Sequence, residues 1–240
     1  MIRLGLARVD LSVVVPCFNE ESRLPSSLAA ALAYLDASRR EYEVILVDDG
    51  SSDCTPRLIR DAEAAHPAVC GIFLPRNRGK GRAVVEGVRA SRGDLVLISD
   101  ADFSAPIGEL PKLEAAIEAG AAVAIGSRAK KGAREVDQPL HRRAMGKGFN
   151  LLVQALLLPG LWDTQCGFKL FRGEVARDLF GRLSVDGFAY DVEVLYLARR
   201  SGWEVSEVPV RWINSTTTRV QAVRHSREML MDVLRIRLSR

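Results

Sequence analysis

Leu95-Val96-Leu97-Ile98-Ser99-Asp100-Ala101-Asp102 is the stretch on which the reading of this 240-residue chain turns. Four apolar residues followed by two carboxylates one residue apart describe a buried strand that ends in an acidic tip. A continuous run such as 95–98 fits a parallel strand covered on both faces. In open α/β sheets, ligands collect just beyond the carboxyl ends of such strands. There Asp100 and Asp102 can share one hard divalent cation, with diphosphate oxygens completing its shell. Asp-Ala-Asp alone describes a polar turn after a strand equally well, so the flanking sequence has to decide.

Upstream, the same unit recurs. An apolar strand over 11–15 is stopped by Pro16, and Cys17-Phe18-Asn19-Glu20-Glu21 opens a helix that runs to about residue 38. Asn19 is placed to cap that helix and the glutamates suit its positive end. A strand over 43–47 leads into Asp48-Asp49-Gly50-Ser51-Ser52-Asp53 and a helix over 55–65. A strand over 70–74 precedes the basic, glycine-rich turn Arg76-Asn77-Arg78-Gly79-Lys80-Gly81, which opens a helix to about residue 90. After the acidic tip come a helix over 106–119 and a short strand over 121–125. Strand–helix alternation with polar loops after the strands predicts a parallel sheet with helices on both sides. Asn19-Glu20, Asp48-Asp49 and Asp100/Asp102 then converge on one rim.

The second half differs in character. Residues 128–147 are basic and loop-like, with Arg128, Lys130, Lys131, Arg134, Arg142, Arg143 and Lys147 against Glu135 and Asp137. A helix continues into the apolar segment 151–158. Asp163-Thr164-Gln165-Cys166-Gly167-Phe168-Lys169-Leu170-Phe171 reads as a turn into a strand. A helix over 190–200 carries Asp191 and Glu193, two residues apart and therefore pointing in different directions. A strand over 204–210, a small-residue loop over 214–219 and a basic amphipathic helix over 220–240 complete the chain.

Composition narrows the function classes. A hydrophobic content of 48% supplies a core, which sets disorder aside. The net charge of +4 favours anionic partners, yet neither a finger spacing nor an aromatic RNA-binding signature is present, so nucleic acid is not expected. The four cysteines are scattered without a C-x-x-C pair, which points to a reducing compartment and to neither a disulfide framework nor a zinc site. No cleavable signal is evident at the start of the chain, and the longest apolar run, 151–162, falls short of the ~20 residues that span a bilayer. His66, His141 and His225 have no ligand spacing.

In this order the motifs resemble the family-two inverting glycosyltransferases of the GT-A fold: Val-Val-Val-Pro-Cys-Phe-Asn-Glu-Glu, Val-Asp-Asp-Gly-Ser-Ser-Asp, Arg-Asn-Arg-Gly-Lys-Gly and Asp-Ala-Asp. The second half, with Ile125-Gly126-Ser127-Arg128, the 163–171 turn, Gly187-Phe188-Ala189-Tyr190-Asp191-Val192-Glu193 and Glu207-Val208-Pro209-Val210, resembles the polyprenyl-phosphate sugar transferases, and within them the dolichyl-phosphate glucosyltransferases. The resemblance implies one GT-A domain over 1–240: a nucleotide-binding half (1–126), an acceptor half (127–220) and a C-terminal amphipathic helix (221–240). It implies that Pro16, Asn19, Glu20, Asp48, Asp49, Arg78, Lys80, Asp100, Ala101 and Arg219 contact the nucleotide. Asp100 and Asp102 would hold Mg²⁺ or Mn²⁺, and Arg128, Arg142 and Arg143 the acceptor phosphate. Asp100, Asp102, Arg128 and Asp191 are the catalytic candidates. Ser104 stands where mannose-type relatives often carry a Gln ligand.

The chemistry of the acceptor is an independent argument. Transfer to a hydroxyl needs a general base, whereas a phosphate monoester is already anionic near neutral pH and needs alignment by cations instead. The expected activity is therefore inverting transfer of a hexose, UDP-glucose being the favoured donor, to a polyprenyl or dolichyl phosphate. GDP-mannose as donor, a saccharide hydroxyl as acceptor with Asp191 as base, and a non-catalytic nucleotide-sugar binder remain open alternatives. Apolar residues with flanking arginines in 151–162 and 229–238 fit peripheral contact with a membrane, expected on its cytoplasmic face. The oligomeric state is unknown from sequence.

Overall fold

The computed structural model describes residues 9–136, 140–213 and 222–239, with backbone alone at 140–145, 147, 222–227 and 239. Seven strands form one sheet in the order β3-β2-β1-β4-β7-β5-β8. They are β1 (Leu11–Cys17), β2 (Tyr42–Asp48), β3 (Val69–Phe73), β4 (Leu95–Ile98), β5 (Val123–Ser127), β7 (Lys169–Arg172) and β8 (Val205–Pro209). All neighbours are parallel except β7, which runs antiparallel to both β4 and β5. A parallel pair, β6 (Arg134–Val136) and β9 (Arg211–Ile213), lies apart from it.

The period of two along each strand builds two cores. Val14, Ile45, Ile98 and Phe171 face one way, into α3 (Lys80–Ala90), α6 (Gly173–Gly181) and α7 (Tyr190–Arg200). Val13, Leu46, Leu97 and Leu170 face the other way, into α1 (Leu24–Ala37), α2 (Thr55–Ala65) and α4 (Leu110–Glu118). Strands covered on both faces must be apolar throughout, which is why 95–98 carries no alternation. Two more helices, α5 (Leu140–Leu156) and α8 (Ala222–Ser239), add Val153, Val233 and Ile236 to the first core.

Several expectations are corrected. Asn19 does not cap α1. It adopts a left-handed backbone (φ 54°) and its Oδ1 accepts from Ser52 N, while Arg23 stands at the N-cap and makes no side-chain capping bond to the helix. Pro25 near the helix start stands in for the cap, since its missing N–H is one the first turn leaves unpaired anyway. The 106–119 segment opens as a 3₁₀ turn over Ile107–Glu109 before α4 begins. The basic stretch is not all loop, because β6 and the start of α5 lie within it. The apolar run 151–162 is helical only to Leu156, with Leu158 and Leu161 buried and Leu151 and Trp162 exposed. Residues 214–219, including Arg219, lie outside the described residues.

Candidate active site

β1, β2 and β4 are adjacent and parallel, so their carboxyl ends bring the three polar loops to one rim. The β1–β2 ladder continues to Cys17 opposite Asp48, whereas β4 leaves β1 after Val14. Pro16 is tolerated in this interior strand because β4 has already ended beside it. Asn19 N donates to Ser51 Oγ at 2.9 Å, which locks the first loop onto the second. Glu20 N donates to Thr55 Oγ1 at 2.7 Å. Asp48 is buried and accepts from Ser51 N at 3.2 Å.

Asp49, expected beside the nucleotide, also has a structural task. Its two oxygens each accept a backbone N–H at 2.8 Å, from Arg78 and Gly79, and so hold the glycine-rich turn. Burial raises its carboxyl above the usual range against the pull of those two donors. Gly79, the N-cap of α3, has φ 110°, and a Cβ there would lie 2.5 Å from Asp186 O, so only glycine fits. The turn aims Lys80 inward. Arg78 points outward, half exposed, to Asp186 at 3.0 Å.

At the tip of β4, Asp100 Oδ1 receives Lys80 Nζ at 2.5 Å. Asp102 Oδ1 accepts from Ser104 N and Oγ at 3.0 and 2.8 Å, and its Oδ2 accepts from Arg23 Nη1 at 2.9 Å. Ala101 is buried, and its carbonyl accepts from Ser27 Oγ of α1 at 2.5 Å. Phe103 turns the chain with a left-handed backbone (φ 44°), a conformation unusual for a bulky residue and typical of functional loops. Burial pushes the Asp100 carboxyl up, but Lys80, with Lys169 and Arg128 behind it, brings it below the usual range. Burial likewise disfavours the Lys80 ammonium, and Asp100 outweighs it.

The turn before β7 closes the rim. Gly167 packs so tightly on Asp100 that a Cβ there would sit 2.1 Å from Oδ2. Lys169, fully buried, donates to Asp191 Oδ1 at 2.5 Å and to Cys166 O at 2.6 Å. Arg128 clasps Asp163 through Nε (2.7 Å) and Nη2 (2.8 Å), and its guanidinium lies over the Trp212 ring at 5.3 Å. Glu193 accepts from Ser184 Oγ and the Val185 amide, apart from Asp191, as the two-residue spacing requires. Among the described residues the rim thus carries buried or half-buried cation–carboxylate pairs that include Arg23–Asp102, Lys80–Asp100, Lys169–Asp191 and Arg128–Asp163.

Lys169, Asp163, Gly167 and Arg23 were not among the expected site residues. A single lysine inside Phe168-Lys169-Leu170-Phe171 was the available signal, since a charge in a buried strand needs a partner. Its partner, Asp191, comes from a distant helix. The side chains of Arg142 and Arg143 lie outside the described residues.

The donor set suits a hard divalent cation. Such ions are held by one or two carboxylates plus substrate phosphates rather than by an all-protein cage, and no cluster of three or more metal-ligating side chains occurs among the described residues. The pattern of glycosyl transferase family 2 matches residues 12–180. Human dolichyl-phosphate beta-glucosyltransferase is 38% identical over 95% of this chain and 75% of its own length. The Saccharomyces cerevisiae dolichyl-phosphate beta-glucosyltransferase is 32% identical over 96% of this chain and 75% of its own length. Among solved structures, glucosyl-3-phosphoglycerate synthase from Mycobacterium tuberculosis in complex with Mn²⁺, UDP and glucosyl-3-phosphoglycerate shares the fold (TM-score 0.71) at 19% identity, covering 95% of this chain and 80% of that one.

Proposed function

We propose that this chain, which belongs to glycosyl transferase family 2, transfers glucose from UDP-glucose to dolichyl phosphate with inversion. The observation that carries the reading is the acidic rim, where Glu20, Asp48 and the Asp100/Asp102 pair stand at the carboxyl ends of the adjacent parallel strands β1, β2 and β4. In the reaction an acceptor phosphate oxygen forms a bond to the anomeric carbon of glucose, and the carbon–oxygen bond to the diphosphate breaks. UDP leaves with the electron pair. Asp100 and Asp102 would hold Mg²⁺ or Mn²⁺, which supplies Lewis-acid stabilisation of the diphosphate charge. Lys80 adds a positive charge on the same side.

The acceptor phosphate needs orientation, not deprotonation. Arg128 is preorganised to provide it, because Asp163 takes Nε and Nη2 and Trp212 lies against the guanidinium, which among the described residues leaves Nη1. Arg142 and Arg143 belong to the same acceptor role in this reading. Asp191 is read as a positioning residue because its carboxylate is buried on Lys169, poorly disposed to take a proton from a saccharide hydroxyl.

We read 1–240 as one domain, supported by β7 and β8 from the second half completing the sheet begun by the first. No helix among the described residues is long and apolar enough to cross a membrane. Peripheral contact is supported by α8, where Leu230, Met231, Leu234 and Leu238 are exposed beside Arg235 and Arg237. Unpaired cysteines, two of them exposed, favour the cytoplasmic face.

The test is purified protein with Mg²⁺ or Mn²⁺, UDP-glucose or GDP-mannose, with and without a polyprenyl phosphate. Glucose appearing on the lipid from UDP-glucose is expected. Transfer only from GDP-mannose, or only to a soluble saccharide, would overturn the donor or the acceptor assignment.

A further inference from the structure

Both carboxylates at the tip of β4 already carry a cation. Lys80 reaches Asp100 from the first turn of α3, and Arg23 reaches Asp102 from the N-cap of α1 while also bonding Glu20 through Nε at 2.7 Å. The two side chains are only 21% and 19% exposed, so water gives these charges limited screening. A divalent cation has to take oxygens from the same two carboxylates at about 2.0–2.6 Å. It cannot settle there while an ammonium and a guanidinium remain, because like charges would crowd one half-buried site. Nor can the displaced cations withdraw at no cost, since each leaves its carboxylate without gaining another anion. A diphosphate supplies that anion.

We propose that Lys80 and Arg23 are resident counter-ions of the Asp100–Asp102 pair, which yield their carboxylates to the metal and turn to the diphosphate, so that divalent cation and nucleoside diphosphate bind as a coupled pair. The inference rests on the metal reading of the two aspartates given above. Lys80 suits the exchange. It is a compact charge on a flexible stem, and the Tyr190 ring, 5.9 Å from Nζ, offers a second favourable surface as it moves. Arg23 can release Asp102 and keep Glu20. Coupling of this kind is reciprocal, so UDP strengthens the metal as much as the metal strengthens UDP.

The test is Mn²⁺ binding, read from the electron paramagnetic resonance signal of the free ion, with and without UDP. Wild type, K80Q, R23Q and R82Q are compared, each checked for folding by thermal melting. Arg82 lies two residues along α3 and pairs with Glu86, so R82Q removes the same charge without vacating the aspartates. Wild type is expected to bind Mn²⁺ at least tenfold more tightly with UDP. K80Q and R23Q bind Mn²⁺ alone at least tenfold more tightly than wild type and gain less from UDP, while R82Q behaves as wild type. K80Q and R23Q binding free Mn²⁺ no better than wild type, or R82Q matching them, overturns the counter-ion role and leaves the metal reading standing. A D100N/D102N double variant that retains Mn²⁺ as wild type does, with UDP present, overturns the metal reading itself and the inference with it.

Discussion

Replacing Lys169 by methionine strands a buried charge. The Lys169 side chain is completely buried and Asp191 is 5% exposed, with Nζ and Oδ1 2.5 Å apart. Removing one partner from such a pair costs about 3–5 kcal/mol, because the remaining carboxylate loses its counter-charge and stays out of water. The cost is large against a total stability of roughly 5–15 kcal/mol for a domain. At about 2–4 °C per kcal/mol for a chain of this size, the melting temperature of K169M should fall by roughly 6–20 °C. Removing both charges behaves differently, since replacing a whole buried pair with apolar groups of similar volume is often neutral or better. The double variant K169M/D191L should therefore recover most of the loss. Calorimetry on the two variants and wild type at neutral pH makes the comparison. A K169M melting point within ~2 °C of wild type, or a double variant no more stable than the single, would refute the account of the pair as a mutually dependent buried unit. Transfer to dolichyl phosphate, measured well below every melting point, adds a functional readout. If Asp191 only positions, D191N retains measurable transfer; complete loss in folded protein would restore it as a base.

Further expectations follow from the same rim. Gly167→Ala places a methyl 2.1 Å from Asp100 Oδ2, and because the carboxylate must shift by about an ångström, kcat/KM should fall by roughly 10²-fold with the protein still folded; unchanged kinetics would refute the contact. The Asp100 and Asp163 carboxyls resist burial through Lys80 and Arg128 and lie below the usual range, so their stabilisation is fully present above about pH 4 and lost as pH falls through their folded values. Urea titrations between about pH 5 and 2.5 should show that limb, with a shallower slope in D163N; Asp49, raised by burial, contributes the opposite slope just above it. Burial and Asp163 push the Cys166 thiol up to about 12, and burial also raises Cys17, so a thiol reagent on native protein should modify the exposed Cys54 and Cys70 promptly and the other two only after unfolding.

Local pattern in the sequence was enough for the first half of the molecule. Apolar runs of strand length, each followed by a polar loop and a helix, dictate parallel neighbours, and parallel neighbours necessarily bring Asn19, Asp48 and Asp100 to one rim. The acidic tip was legible only in context, because Asp-Ala-Asp alone describes a polar turn equally well and it is the parallel neighbours that bring it to a shared rim. What the sequence could not convey depends on residues meeting across long separations. β7 enters antiparallel between β4 and β5, and an apolar run reads the same in either direction. That Asp49 holds the backbone of Arg78 and Gly79, a contact across 29 and 30 positions, could not be read from its motif. The partners of Lys169 and Arg128 lie 22 and 35 residues away. Composition and spacing determine which groups are charged and which element presents them. Only the packed chain decides which opposite charges share a buried space, because burial makes pairing obligatory without naming the partner.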